Sequence, residues 1–140
     1  MIAAMTDEPL TQTAESTLRF ILPLPVFPEA RVFTLEPVEE QAGLLSILRS
    51  TDQAGLEFVV ALPEAFFADY TPELDDATAE RLDLHRADDA LVLVILTVAE
   101  RIEHTTANLM APIVINRSTG DAVQALLVSS GYDIRTPLVG

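Results

Sequence analysis

A chain of 140 residues is of single-domain size, and 49% hydrophobic residues supply the apolar surface for one core. Cysteine is absent, which excludes a disulfide framework, a thiol nucleophile and a thiolate metal site and leaves nothing pointing to an oxidising compartment. The formal charge of −14 opposes contact with nucleic-acid phosphates or anionic lipid, since both are bound through lysine and arginine.

The same acidity admits two readings: attraction of a basic protein partner, or simple solubility of a small hydrophobic domain. At the N-terminus, MIAAMTDEPLTQTAEST has no basic residues ahead of an apolar run of signal-peptide length, so it does not read as a secretory signal. It reads as a disordered tail over residues 1–16, with one folded domain over 17–140 and the cytoplasm as the default location. The first strand is expected at Leu18 to Leu22, stopped by Pro23, followed by an irregular crossing through LPLPVFPEA. In Arg31 to Glu36, alternation sets Arg31, Phe33 and Leu35 on one face and Val32, Thr34 and Glu36 on the other, as in a half-buried strand.

Leu44–Leu48 and Leu56–Leu62 flank STDQAG, whose Asp52 and Gly55 suit a hairpin loop. Leu56, Phe58, Val60 and Leu62 then share a face that is expected to be continuous core. The next segment carries the one convincing helical signal, a short helix capped by Asp75 or Asp76 and running towards Leu84. Leu91 to Val98 is apolar on both faces and is expected to be central in a closed or covered sheet. The longest apolar stretch, Ala90 to Val98, is about half the roughly 20 residues of a membrane-spanning helix. A second hairpin is predicted from Asn108–Ile115 and Ala122–Val128 around NRSTGD, with Gly120 free to take positive φ and Pro112 at an edge or bulge. The sum is an all-β fold with minor α content, an antiparallel barrel-like single domain with one short helix.

Catalytic chemistry finds little support along the chain. There is no G-x-S-x-G, and neither His85, after the predicted helix, nor His104, in a loop, is accompanied by a nucleophile motif. ELDDAT lacks calcium-loop spacing and no H-x-x-x-H pair occurs, so no metal or cofactor is expected. The adjacent pairs Asp75–Asp76 and Asp88–Asp89 suit capping and solvation better than acid/base work. N-R-S at Asn116 is formally a glycosylation sequon, but in a cytoplasmic chain it reads as a turn.

Eight residues are candidates for contact with a partner. Phe66, Phe67, Asp69 and Tyr70 cluster aromatics in an inter-element loop, either as an interface anchor or as a loop folded onto the core. Asn108 and Asn116 bracket the LMAPIVI strand, where their amides serve the backbone or a partner. Tyr132 and Arg135 form an amphipathic pair that either meets a partner or pins the C-terminal segment to the domain.

TANLMAPIVIN, Thr106 to Asn116, differs by one Leu-to-Met change from the TANLLAPIVIN typical of the FliW family. FVVALPEAFFADY resembles that family's F-V-V-x-x-P-x-x-F-x-P-D-Y, with Ala68 in place of a proline, and Tyr132, Arg135, Pro137 and Leu138 match its closing Y-x-x-R-x-P-L. ALVLVILTV resembles the family strand that precedes TANLLAPIVIN, so the likeness spans residues 18–138. Two departures stand out: Val26 replaces a glycine in LPLPVFPE, and Gly120–Gln124 lacks the lysine of the family's G-K-Q. The resemblance implies a compact antiparallel barrel-like fold that binds flagellin, and a monomer is expected. It also implies, in a host that has one, binding of the CsrA-type RNA-binding regulator in competition with flagellin, which lifts translational repression. A small-molecule-binding barrel or small enzyme is the alternative left by the residues themselves.

Overall fold

The computed structural model describes residues 16–25, 27–38, 44–128 and 130–138. The expected N-terminal tail lies outside these residues except for Ser16, and so does Val26. Period-two alternation builds the strands. In β1 (Ser16–Phe20), Leu18 and Phe20 are buried while Ser16, Thr17 and Arg19 are exposed. In β2 (Val32–Pro37), Phe33 is fully buried and Leu35 packs beside it, as the alternation predicts. β3 (Leu45–Ser50) and β4 (Glu57–Ala61) form the predicted hairpin, registered by Ile47 opposite Val59 and Leu48 opposite Phe58.

The remaining long strands are β5 (Ala90–Thr97), β7 (Ile113–Asn116) and β8 (Asp121–Gln124). Two-residue strands β6 (Thr106–Ala107) and β9 (Thr136–Pro137) pair with each other, and β6 also pairs with β5. Seven strands run in the order β4-β3-β2-β1-β8-β7-β5, and β5 pairs back onto β4, so the sheet closes into a barrel. Among the described residues every pairing is antiparallel except β1 with β8, which is parallel through Arg19–Asp121 and Phe20–Ala122. That exception follows from parity, because strand directions cannot alternate all the way round a ring of seven. Gly120 makes the parallel seam possible: it holds φ +81°, and a Cβ there would lie 2.7 Å from the Thr17 carbonyl oxygen.

Closure explains why several strands are apolar on both faces. Leu91, Leu93 and Ile95 of β5 point into the barrel with Phe20, Phe33 and Val60, whereas Val94 and Leu96 lie under an outer cluster with Ala61, Ala107 and Leu109. A second outer cluster packs Val114, Val123 and Ala125 under Leu82 and Leu74. Within the barrel Phe20 and Phe33 meet edge to face at 5.3 Å, a pairing that contributes about 0.5–1.5 kcal/mol beyond its buried area. β4 divides in the same way: Phe58 and Val60 face inward, while Val59 and Ala61 belong to the outer cluster. The face of Leu56, Phe58, Val60 and Leu62 is continuous core as expected, and on the opposite face Val59 and Ala61 are also covered while Glu57 is exposed.

The helix α1 (Asp76–Arg81) starts at Asp75, whose Oδ1 accepts the Thr78 N–H at 2.8 Å. The Thr78 side chain, and then that N–H, hold the Asp75 carboxyl below its ordinary pKa. The second hairpin is shorter than its apolar pattern suggests. Asn108 Oδ1 accepts the N–H groups of Met110 and Ala111 and bends the chain, and Pro112, which has no N–H, sits fully buried just ahead of β7. On the return limb the ladder thins to Ala125 N–H to Pro112 O at 2.9 Å and Leu127 N–H to Met110 O at 2.7 Å.

Candidate protein-interaction site

On the flank of the barrel formed by β4, β5 and β6, side chains from three distant segments meet. Pro63 opens a single 3₁₀ turn, Pro63–Ala65, which ends β4 and turns Phe66 and Phe67 back over the strands. Both phenylalanines are half-buried and pack, with Val59, Leu45 and Leu138, on Ala61, Val94, Leu96, Ala107 and Leu109. The chain then delivers Tyr70, whose hydroxyl donates to the Leu109 carbonyl at 2.7 Å.

From the other direction, β9 lies on β6, with Leu138 N–H donating to Thr105 O at 3.2 Å and Leu109 N–H to Asp133 O at 3.0 Å. This brings Tyr132 against Tyr70, ring centroids 4.7 Å apart and nearly perpendicular. The Tyr132 hydroxyl accepts the Thr71 N–H at 3.1 Å. Partial burial pushes the Tyr70 phenol up to about 12, and the neighbouring Tyr132 adds to the shift. Asp69 and Arg135 stand exposed on the same two segments.

Six of the eight candidate residues, Phe66, Phe67, Asp69, Tyr70, Tyr132 and Arg135, therefore lie on the two segments that meet at this flank. The other two are internal ties. Asn108 shapes the turn between β6 and β7. Asn116 is buried: its Nδ2 donates to the carbonyls of Leu82 at 2.6 Å and Asp83 at 3.4 Å, and its Oδ1 accepts from Ser118 and Thr119. It thereby joins the end of the α1 segment to the β7–β8 turn, which is the backbone role weighed for it above. Leu109 and Thr71, which supply backbone partners to the two tyrosines, carry no signal in the sequence, since any residue has a carbonyl and all but proline an N–H.

The charge of the segment that runs from the flank on over α1 is lopsided. Between Pro63 and Asp89 stand nine carboxylates and two arginines, a net −7 that is half of the chain's −14. Asp89 is occupied with the N–H groups of His85 and Arg86, which keep its carboxyl below the ordinary value. Most of the others, including Glu64, Asp69, Glu73, Asp76 and Glu80, are exposed. His85 and His104 are exposed as well, with His85 Nε2 2.9 Å from Asp83 Oδ1. Among the described residues no group of three or more His, Asp or Glu side chains is placed to hold a metal ion, and no helix is long and apolar enough to cross a membrane.

Comparison with known proteins agrees with this arrangement. The model of the FliW protein family matches residues 4–138. The flagellar assembly factor FliW of Bacillus licheniformis is 40% identical over 126 residues, which is 90% of this chain and 87% of the relative. That of Bacillus subtilis strain 168 is 38% identical over the same shares of the two chains. A crystal structure of the flagellar assembly factor FliW superposes with a TM-score of 0.82 at 37% identity, covering 87% of this chain and 84% of the other. The segments that assemble the flank are those in which the sequence resembles the family, and a match of this length and identity means that the chain belongs to the FliW family of flagellar assembly factors.

Proposed function

We propose that this chain binds flagellin and, in a host that has one, antagonises a CsrA-type RNA-binding regulator, acting in the cytoplasm as a monomeric binding protein and not as an enzyme. The observation that carries the reading is the aromatic flank. Half-buried Phe66, Phe67, Tyr70 and Tyr132 are held by packing and by two hydrogen bonds, and Asp69 and Arg135 stand exposed beside them. Preorganised aromatics edged by charged groups are the composition from which binding hot spots are made.

The acidity of residues 63–89 supports a partner that presents basic residues, and it speeds encounter more than it tightens the complex. A small-molecule reading has less support, because the barrel centre is filled by Phe20, Phe33, Leu48 and Val60, each with no exposed surface. Competition between two partners requires a negative coupling free energy that is the same in both directions. On a domain this small, two standard interfaces of about 800 Å² each can overlap without a long-range pathway.

The test is titration of a labelled CsrA complex with monomeric flagellin, followed by anisotropy and size-exclusion chromatography. Flagellin is expected to raise the apparent Kd for CsrA, and CsrA that for flagellin, by one common factor. A stable ternary complex with unchanged affinities defeats competition, and absence of flagellin binding defeats the functional reading.

A further inference from the structure

Beyond β8 the barrel wall has a gap. Residues Ala125 and Leu127 turn their N–H groups to Pro112 and Met110. Alternation directs the N–H group of Leu126 to the opposite side, where no described residue accepts it, before the chain turns at Val128 with Ser130 N–H donating to Leu127 O at 3.1 Å. β1 covers that side only as far as Ile21, whose N–H donates to Ala122 O at 3.0 Å. The following segment contains Pro23 and Pro25, which have no N–H, and it does not extend the ladder. The short edge left behind carries Leu126, 57% exposed, and ends at Val128, 74% exposed in the following turn, an apolar display that sheet edges usually avoid.

Two concavities meet at Leu126. One, of about 260 Å³, is lined by Leu24, Phe27, Phe58, Ile95, Met110 and Leu126, with the Asn108 and Gln124 amides at its wall. The other, of about 600 Å³, runs between the edge and the start of α1 and is lined by Glu73, Asp75, Leu126, Val128 and Tyr132. None of its described lining residues is basic. Successive side chains of a strand point to opposite faces, so a strand added here presents one set to the apolar cavity and the alternate set to the carboxylates.

We propose that the short Gln124–Leu127 edge receives an extended segment of a partner protein in which apolar residues alternate with lysine or arginine. One large apolar side chain fills the smaller cavity, and basic side chains meet Glu73 and Asp75. The inference rests on reading the chain as a protein-binding factor and adds the mode of docking. The contact with Tyr132 makes this edge continuous with the aromatic flank.

A synthetic decapeptide alternating lysine and valine around a central phenylalanine is the probe, with a counterpart carrying glutamate for lysine. In a titration of the isotope-labelled full chain followed by nuclear magnetic resonance, the lysine peptide is expected to shift the amides of Gln124 and Leu126 saturably. The glutamate peptide is expected to leave them in place. Leu126→Ala trims an exposed side chain at the junction of the two concavities, and Glu73→Lys reverses an exposed charge, so both variants should keep the wild-type melting temperature. Each should raise the peptide Kd about tenfold, the effect of losing one charge-assisted or apolar contact. Shifts elsewhere, equal response to the two peptides, no binding, or indifference to both variants overturns the proposal. Flagellin binding by the wild-type chain is scored separately, so loss of the docking mode and loss of the functional reading are different results.

Discussion

The barrel interior and the aromatic flank are built from the same residue types, yet they hold together by different means. Inside, Phe20, Phe33, Leu48 and Val60 are sealed on all sides, and the closed ring of strands leaves them no alternative packing. On the flank, Phe66, Phe67, Tyr70 and Tyr132 are only half-buried; the phenylalanines are placed by packing and the two tyrosines also by directed bonds to Leu109 and Thr71. The interior derives its stability from area removed from water, whereas the flank gives up part of that area and is preorganised for another surface. Aromatic composition alone does not separate a core from a binding face; the number of covered sides does.

The contrast is easiest to break from the inside. Phe33→Ala leaves a cavity where the barrel cannot collapse and is expected to cost about 3–5 kcal/mol in urea unfolding, with partner binding lost only as far as the domain unfolds. Binding reduced at concentrations of urea where the variant is still folded would place Phe33 in a functional role that its burial does not suggest.

Asn116→Ala is the next largest change, about 1–3 kcal/mol, because it strands the buried carbonyl of Leu82 and frees the β7–β8 turn. Its checking measurement is thermal unfolding beside a partner-binding assay. Binding per folded molecule should stay constant, which separates this internal tie from the exposed members of the flank.

Tyr70→Phe removes one hydrogen bond to Leu109 and is expected to cost about 1 kcal/mol near neutral pH. It also changes the pH dependence. The folded phenol titrates at about 12 against an ordinary 10.0, so the folded state holds its proton more tightly. The associated stability is complete below pH 10 and is lost as pH rises towards 12. Wild type should lose stability across that window more steeply than the phenylalanine variant, and identical slopes would mean that Tyr70 is as solvated as in the unfolded chain.

Arg135→Glu has the smallest expected effect on the fold, within about 0.5 kcal/mol, because the side chain is exposed. Binding of flagellin should nevertheless weaken several-fold. Loss of melting temperature in step with binding would mark Arg135 as a tie between the C-terminal segment and the barrel.

Much of this was legible from the chain. Alternation in Arg31–Glu36, the Asp52–Gly55 loop, the two-sided apolar run at Leu91–Val98 and the capped helix all appear where the sequence places them. Their causes are local, a two-residue period or a side chain that satisfies a nearby N–H. The second hairpin was overextended because the apolar run through Asn108–Pro112 conceals an Asn-centred turn and a missing donor. The aromatic loop and the C-terminal Tyr-Arg pair were each visible as candidates, but no local pattern related them.

The sequence by itself determined the strand-rich fold class, the helix cap, the absence of thiol chemistry and the acidity of residues 63–89, since each depends on residue type and near neighbours. Only the tertiary structure decided that seven strands close with one parallel seam at Gly120, that Tyr70 rests on Tyr132 sixty-odd residues away, and that Leu126 and Val128 border an open edge. These features depend on strand parity, on the direction of individual N–H groups and on contacts across large sequence separations. None of the three is encoded in a window of neighbouring residues.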